Sequence, residues 1–196
     1  KSKKIIHEEQ NIFLHGSVPV YVKDALLNDG ISLSSVITKV SQIVPKYFIH
    51  GLDSIYVGDF EQFHERGINA FYDDGSLYIS NAQDDEDDMI DDIVHEIAHH
   101  VEENHGMDIY GDGRLEQEFL GKRKKLYFLL DAEGYDVRMM EFLNPDFSRE
   151  FDEFLSQDVG YLNLRGITQG LFYSPYAATS LREYFANGFE NFHIKK

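Results

Sequence analysis

Residues 95–99 of this chain, with the sequence HEIAH, constrain its fold more than any other segment. Histidines four residues apart lie on one face of an α-helix, separated by about 6 Å along its axis. Both imidazoles can then bind one Zn²⁺, while the intervening glutamate faces the same cleft as a general base. Apolar residues recur at helical spacing around the motif: Met89, Ile90, Ile93, Val94, Ile97, Ala98 and Val101. The segment therefore predicts a core helix with His95 and His99 as metal ligands and Glu96 as base.

A catalytic zinc site needs a third protein ligand, and the fourth position is left for water. Three residues are candidates. His105 completes the metzincin spacing, but that pattern has a glycine where this chain has Glu102. Glu118 follows His99 by nineteen residues, within an ordinary charged amphipathic helix. Glu183 is favoured, because it precedes an aromatic pair and a small residue, a setting that suits a buried helix.

Two helix starts are possible before Glu183. Ser180 precedes it by three residues, which is the spacing of a capping box. Ser174 followed by Pro175 is an equally good start. In the second case, Tyr176 and Glu183 lie two turns apart on nearly the same helix face. A phenol in that position could donate a hydrogen bond to the oxyanion of a tetrahedral intermediate.

The pairing of HEIAH with EYFANGF at residues 183–189 resembles the gluzincin zinc peptidases. Within that group, the chain resembles the anthrax lethal factor catalytic domain and the bacterial Pro-Pro endopeptidases. These proteins carry a Glu-(Phe/Tyr)-Phe-Ala-x-x-Phe helix after HExxH. They also have a functional tyrosine seven residues before the ligand glutamate. The resemblance implies a zincin-like metallopeptidase with His95, His99 and Glu183 as ligands of one Zn²⁺ per chain. It also implies Glu96 as base and Tyr176 as the oxyanion partner.

The resemblance covers two short segments of the 196 residues. The interval between His99 and Glu183 is longer than in the compact members, so the helices between them fit an insertion. No substrate preference is carried over.

Composition favours a single globular domain over residues 1–196, with 42% hydrophobic and 14% aromatic residues. The formal charge of −17 disfavours nucleic acid and anionic membranes as partners. The absence of cysteine excludes disulfides and thiolate metal ligands. No apolar run approaches the roughly 20 residues of a membrane span, and no signal-like segment is expected at the start. The compartment and the oligomeric state are left open.

Hydrophobic periodicity predicts an α+β chain with a small mixed sheet, the motif helix and a mainly helical C-terminal half. The predicted strands are residues 18–22, 52–58, 70–72 and 77–80, the last two forming a hairpin. The predicted helices, besides a motif helix that stops at Gly106, are residues 32–48, 114–132 and 146–157. Residues 160–173 lack clear periodicity and fit a lid, a pocket floor or a packed connection. The strand just before the motif helix is expected to offer its edge to an extended peptide.

These observations favour a zinc-dependent endopeptidase that acts on a peptide or protein substrate. Glu96 would take a proton from the attacking water and pass it to the leaving amine. The alternative is a non-catalytic protein, either a peptidase fold without activity or an acidic mimic of DNA. Neither alternative gives Glu96 and Tyr176 a role.

Overall fold

The computed structural model describes residues 11–195 of the chain. The chain divides into two compact units, residues 1–93 and 94–196, and the boundary falls inside one long helix rather than at a linker. The α+β class is confirmed, since a small mixed sheet precedes a C-terminal half that is mostly helical. The single domain over residues 1–196 stays a prediction. Within residues 11–195, no helix combines the length and apolar composition needed to cross a membrane.

The first unit is built on a mixed sheet that has five strands within the described residues. The strands are β1 (Ile12–Leu14), β2 (Val18–Val22), β3 (Ser54–Gly58), β4 (Ala70–Asp73) and β5 (Ser76–Ser80). Their order is β1-β2-β3-β5-β4, in which β2, β3 and β5 are parallel and the two outer strands are antiparallel to their neighbours. Helices α1 (Leu33–Ile43) and α2 (Glu61–Arg66) lie in the connections between parallel strands. The predicted strands are confirmed; β1, only three residues long, was not predicted.

The hairpin of β4 and β5 follows from local turn chemistry. Asp74 and Gly75 have positive φ angles of 41° and 78°, as the two central residues of a tight hairpin turn require. Strand β5, which directly precedes the motif helix, pairs with β3 on one side and with β4 on the other. The prediction that this strand offers a free edge to a peptide is therefore wrong. Among the described strands, β4 holds the outer position on that side.

The helix predicted over residues 32–48 is wrong beyond Ile43. Ser32 caps α1 at its start, because its hydroxyl accepts a hydrogen bond from the Ser35 backbone N–H at 3.3 Å. The helix ends at Val44, whose backbone is extended, since a proline disfavours the helical conformation in the residue before it. After that proline the chain forms a separate 3₁₀ helix, Lys46–Ile49.

The motif lies in α3 (Glu86–Tyr110), whose first turn is acidic. Asp85 caps this helix, because its carboxylate accepts a hydrogen bond from the Asp88 backbone N–H at 2.9 Å. The prediction that the helix stops at Gly106 is wrong. His105 has non-helical backbone angles, φ −127° and ψ 18°, so the helix kinks there and resumes as far as Tyr110.

The second unit continues with further helices. They are α4 (Arg114–Ala132), α5 (Met139–Phe142), α6 (Arg149–Glu153), α7 (Tyr161–Ile167) and α8 (Leu181–Ile194). The helix predicted over residues 114–132 is confirmed, whereas that over residues 146–157 has wrong bounds. Ser148 caps α6, and the chain then passes into a π-helical segment, Phe154–Gly160. Residues 160–173 are not wholly irregular, because they contain α7, in which Leu164 is the fully buried side chain.

An apolar cluster forms the core of the second unit. Its buried members are Phe119, Leu126, Leu130, Phe142, Phe151, Leu155, Val159, Leu164, Phe172, Ala177, Ala178 and Tyr184. The guanidinium of Arg123 lies within it, 3.9 Å from the ring centroid of Phe151, and donates to the backbone carbonyls of Ala178 and Thr179 at 2.9 and 3.2 Å. Burial lowers the pKa of Arg123 to about 9, which leaves it protonated at neutral pH. Arg123 therefore anchors the segment that leads into α8.

We expect Phe119→Ala to destabilise the protein by about 3–5 kcal/mol, because Phe119 is fully buried and packs on Tyr184 and Phe172. A chain of this size loses roughly 2–4 °C of melting temperature per kcal/mol. Phe128→Ala is the matched control, since Phe128 lies on the same helix and is 54% exposed. Equal melting temperatures for the two variants, measured by calorimetry, would contradict this description of the core.

Candidate metal and catalytic site

The two histidines of the motif project from one face of α3 within the second unit. The ring centroids of His95 and His99 are 5.0 Å apart, and their side chains are 16% and 7% exposed. Glu96 is buried beside them. One potential ligand atom from each of these three residues lies within 4.8 Å of the others. The helical spacing thus gathers two imidazoles and a carboxylate in a largely buried position.

Glu183 reaches the same position from the first turn of α8. Its Oε2 atom lies 3.0 Å from His95 Nε2, and its Oε1 atom lies 3.6 Å from His99 Nε2. Metal–ligand bonds of about 2.0–2.1 Å at tetrahedral angles separate neighbouring ligand atoms by roughly 3.3 Å. The two distances bracket that value, so His95, His99 and Glu183 fit a zinc ion.

Glu96 and Glu183 are both carboxylates near the two histidines, but they relate to them differently. Glu183 directs a different oxygen at each Nε2 atom, at separations close to those of ligands sharing a metal. Glu96 also has a potential ligand atom within 4.8 Å of one from each histidine, so these three residues form a group that could hold a metal. The distances from Glu183 to both Nε2 atoms suit Glu183 as a further ligand.

The electrostatics of the cluster favour an ionised carboxylate. Burial raises the pKa of Glu183, but hydrogen bonds and charges from His95 and His99 outweigh burial and hold that pKa well below its usual range. Burial lowers the pKa values of both histidines, but hydrogen bonds to carboxylates raise both pKa values overall. Glu183 is thus negatively charged at neutral pH, as a zinc ligand must be, whereas a bound metal would have to displace the extra proton that the raised pKa values give each imidazole.

Each histidine also has a carboxylate near its other ring nitrogen. Glu190 Oε2 lies 3.3 Å from His95 Nδ1, and Glu102 Oε2 lies 3.5 Å from His99 Nδ1, but the Arg182 Nε–H donates to His99 Nδ1 at the shorter distance of 3.0 Å. Metal-binding histidines commonly donate their second ring N–H to a carboxylate, which fixes the ring orientation. Neither glutamate was identified from the sequence. Glu190 could have been noticed, because it follows Glu183 by seven residues, two helical turns, and so shares its face.

The other two candidates for the third ligand lie away from this cluster. Glu118 accepts a hydrogen bond from the Tyr184 hydroxyl at 2.6 Å and pairs with Lys122 at 3.1 Å. His105 sits at the kink of α3, is 52% exposed and has Asp108 as its nearby carboxylate at 3.7 Å. Of the three candidates, the structure brings only Glu183 within 4 Å of both motif histidines.

Of the two possible starts of α8, the structure has the one at Ser180. Ser174 and Pro175 begin a short 3₁₀ helix, Tyr176–Ala178, in which the Ser174 hydroxyl accepts from the Ala177 backbone N–H at 3.3 Å. Ser180 instead caps α8, and its hydroxyl accepts from the Glu183 backbone N–H at 3.2 Å. The alternative in which Tyr176 and Glu183 share one continuous helix is therefore wrong. The cap nevertheless leaves the Glu183 carboxylate directed at the histidines.

Tyr176 is half-buried, and a second phenol, Tyr161, lies in the same region. The Tyr161 hydroxyl donates to Asp152 Oδ1 at 2.7 Å. Burial, this hydrogen bond and the charges of Tyr176 and Glu183 raise the pKa of Tyr161 above its usual range. Tyr161 was not singled out from the sequence, because its helix had not been recognised.

Comparisons of the chain with protein-family models, with curated proteins and with solved structures find no significant match.

Proposed function

We propose that this chain is a zinc-dependent endopeptidase of the gluzincin type with a zincin-like fold. One observation carries the proposal: the carboxylate of Glu183 approaches His95 Nε2 and His99 Nε2 at 3.0 and 3.6 Å, beside the buried Glu96. The α+β architecture, with a small mixed sheet before the motif helix, agrees with such a fold.

The proposed reaction assigns one task to each residue. His95, His99 and Glu183 hold the metal, which supplies a Lewis acid for the peptide carbonyl and for water. Glu96 takes a proton from the water that attacks the carbonyl carbon, and passes it to the nitrogen of the leaving amine. Tyr176 donates a hydrogen bond to the carbonyl oxygen as negative charge develops there.

The resemblance to the anthrax lethal factor catalytic domain and the Pro-Pro endopeptidases supports the same three metal ligands. It rests on HEIAH, on EYFANGF and on a tyrosine seven residues before Glu183. The proposed substrate class is therefore a peptide or protein, with no sequence preference assigned.

Cleavage of a degenerate peptide library tests the proposal. We expect the zinc-loaded protein to hydrolyse internal peptide bonds, and a chelator followed by added zinc to abolish and then restore the activity. Mass spectrometry of the products would give the cleavage position. A protein that binds zinc without cleaving any member of the library would favour the non-catalytic alternative.

Tyr176→Phe is expected to lower kcat by on the order of 10²-fold with a smaller change in KM, because the lost hydrogen bond is strongest in the transition state. Tyr161→Phe is the matched control, since it removes the neighbouring phenol and its bond to Asp152. Steady-state kinetics and a melting curve on both variants separate the roles. If Tyr161→Phe alone lowers kcat, the donor is Tyr161; if Tyr176→Phe lowers only the melting temperature, Tyr176 has a structural role.

A further inference from the structure

A row of stacked aromatic rings crosses one face of the sheet in the first unit. Its members stand opposite one another on neighbouring strands: Tyr21 on β2, Tyr56 on β3, Tyr78 on β5 and Phe71 on β4. Successive ring centroids are 5.4, 5.3 and 4.6 Å apart, with interplanar angles of 22°, 26° and 11°. Aromatic side chains at such separations attract each other. These residues, the aromatic row, therefore form one continuous surface of rings.

The two ends of the aromatic row are covered to different extents. Phe60 and Phe63, just before and within α2, make edge-to-face contacts with Tyr78 and Phe71 at 5.2 and 5.6 Å between centroids. Phe63 is buried by this packing. At the opposite end, Tyr21 is 47% exposed. The row is thus covered by the chain's own aromatic residues at one end and accessible at the other.

A lysine of the same chain indicates which chemistry the accessible end accepts. The Lys23 ammonium lies 5.7 Å from the ring centroid of Tyr21 and 5.2 Å from that of Tyr56. Ring faces attract cations within about 6 Å of the centroid, because they carry partial negative charge. Among the described residues, Lys23 forms no ion pair, whereas Lys39 of the same unit pairs with Asp87 at 2.8 Å. The rings, rather than a carboxylate, therefore hold this cation.

The backbone beside Lys23 leaves room for a side chain on the rings. Gly58 follows Tyr56 by two residues, so it lies on the same face of β3. A Cβ atom at Gly58 would lie 3.0 Å from Lys23 Cβ and 3.0 Å from Asp24 Oδ2. A larger residue there would crowd the lysine. The same distances place the Asp24 carboxylate beside the base of the Lys23 side chain.

The charge around the aromatic row is negative. Residues 11–93 contain 15 aspartates and glutamates against 4 lysines and arginines. Asp73 is exposed on the same face as the row, because it stands opposite Ser76, two residues before Tyr78. Burial and the charges of neighbouring groups, Asp73 and Asp74 among them, raise the pKa of Tyr78. A cation that stacks on the row would thus have carboxylates near both of its ends.

We propose that the aromatic row is a docking surface for a basic segment of a partner protein, whose arginine or lysine side chains stack on Tyr21 and Tyr56 in place of Lys23. A guanidinium is planar and less strongly hydrated than an ammonium, so arginine is the better competitor for the rings. The negative charge disfavours nucleic acid and a second copy of this acidic chain. No residue of the metal site takes part, so the inference is independent of the proposed peptidase activity.

Binding of a fluorescently labelled peptide of alternating glycine and D-arginine to the full chain tests the inference, because D-residues resist hydrolysis by a peptidase. We expect anisotropy titrations to show tighter binding than for the same peptide with citrulline, which has a similar shape but no charge. Tyr21→Leu should weaken binding about 2–5-fold, as loss of one exposed cation–π contact does. Tyr21→Phe keeps the ring and should bind as the wild type. Tyr47→Leu is the matched control, since Tyr47 is 67% exposed and lies outside the aromatic row.

Two lysine variants separate stacking on the rings from general attraction to an acidic protein. Lys23→Met should tighten binding several-fold, because it removes a positive charge and also clears the rings. Lys46→Met removes the same charge from an exposed lysine of the same unit and should tighten binding less. Equal tightening in both variants, or wild-type affinity in Tyr21→Leu, would overturn the inference, since binding would then follow net charge alone. Equal affinity for the arginine and citrulline peptides, or no binding of either, would also overturn it.

Removal of zinc distinguishes this inference from the proposed function. The affinity for the arginine peptide should be unchanged after treatment with a chelator, even if the protein has no peptidase activity. Melting curves check that the variants are folded, which we expect because Tyr21 and Lys23 are both exposed. Loss of peptide binding on removal of zinc would place the peptide elsewhere than on the aromatic row and contradict the proposal.

Discussion

Glu96→Gln is expected to keep about one bound Zn²⁺ and the native fold while losing nearly all peptide hydrolysis. General base catalysis contributes about 10²–10⁴-fold to such a reaction, and an amide cannot take the proton from water. Glutamine has nearly the same volume as glutamate, so the buried position of Glu96 is filled as before. The measurement combines metal content, a melting curve and steady-state turnover of a peptide library.

Glu103→Gln is the matched control for that variant, because it makes the same chemical change at an exposed position of α3. It should retain wild-type turnover. Hydrolysis at the wild-type rate by zinc-loaded Glu96→Gln would refute the assignment of Glu96 as general base. Loss of zinc from this variant would show instead that Glu96 belongs to the ligand set.

Glu183→Ala is expected to lose zinc binding, with an affinity reduced by more than the roughly 10–100-fold that loss of an outer partner costs. The change removes the carboxylate that lies 3.0 and 3.6 Å from the two Nε2 atoms. It also leaves two largely buried imidazoles without the negative charge between them. Zinc titration and metal analysis after dialysis would measure the loss, and turnover should fall with it.

Glu118→Ala and His105→Ala are the controls for the third ligand. Glu118 bonds to Tyr184 and Lys122, so its removal should affect stability modestly and leave zinc bound. His105 is half-exposed at the kink, and its removal should also leave zinc bound. Retention of zinc by Glu183→Ala with its loss from either control would move the third ligand to the residue replaced in that control.

The features that were predicted correctly depend on short stretches of sequence. The turn at Asp74 and Gly75 has the Asp-Gly composition that is typical of a tight hairpin, and strand alternation on either side sets its register. Helix α4 contains no proline, and its buried residues Phe119, Arg123, Leu126 and Leu130 recur at helical spacing. Histidines four apart share a face in any α-helix, so the convergence of His95 and His99 required no tertiary information.

The features that were missed depend on contacts between distant residues. Helix α7 buries mainly Leu164 and shows little periodicity, so only its packing in the apolar cluster reveals it. The start of α8 was ambiguous because Ser174 and Ser180 are equally good caps in isolation. Arg123 bonds to the carbonyls of Ala178 and Thr179, a contact between residues 55 and 56 positions apart. No local pattern indicates such an anchor.

We propose that one zinc ion held by His95, His99 and Glu183 makes this chain a peptidase. The most direct test is to strip the protein with a chelator, add Zn²⁺ stepwise, and follow bound zinc and hydrolysis of a quenched fluorescent peptide library together. We expect turnover to be absent without metal, to rise in proportion to bound zinc and to stop rising at about one equivalent per chain. Full hydrolysis by the stripped protein, or none with one equivalent of zinc bound, would contradict the claim.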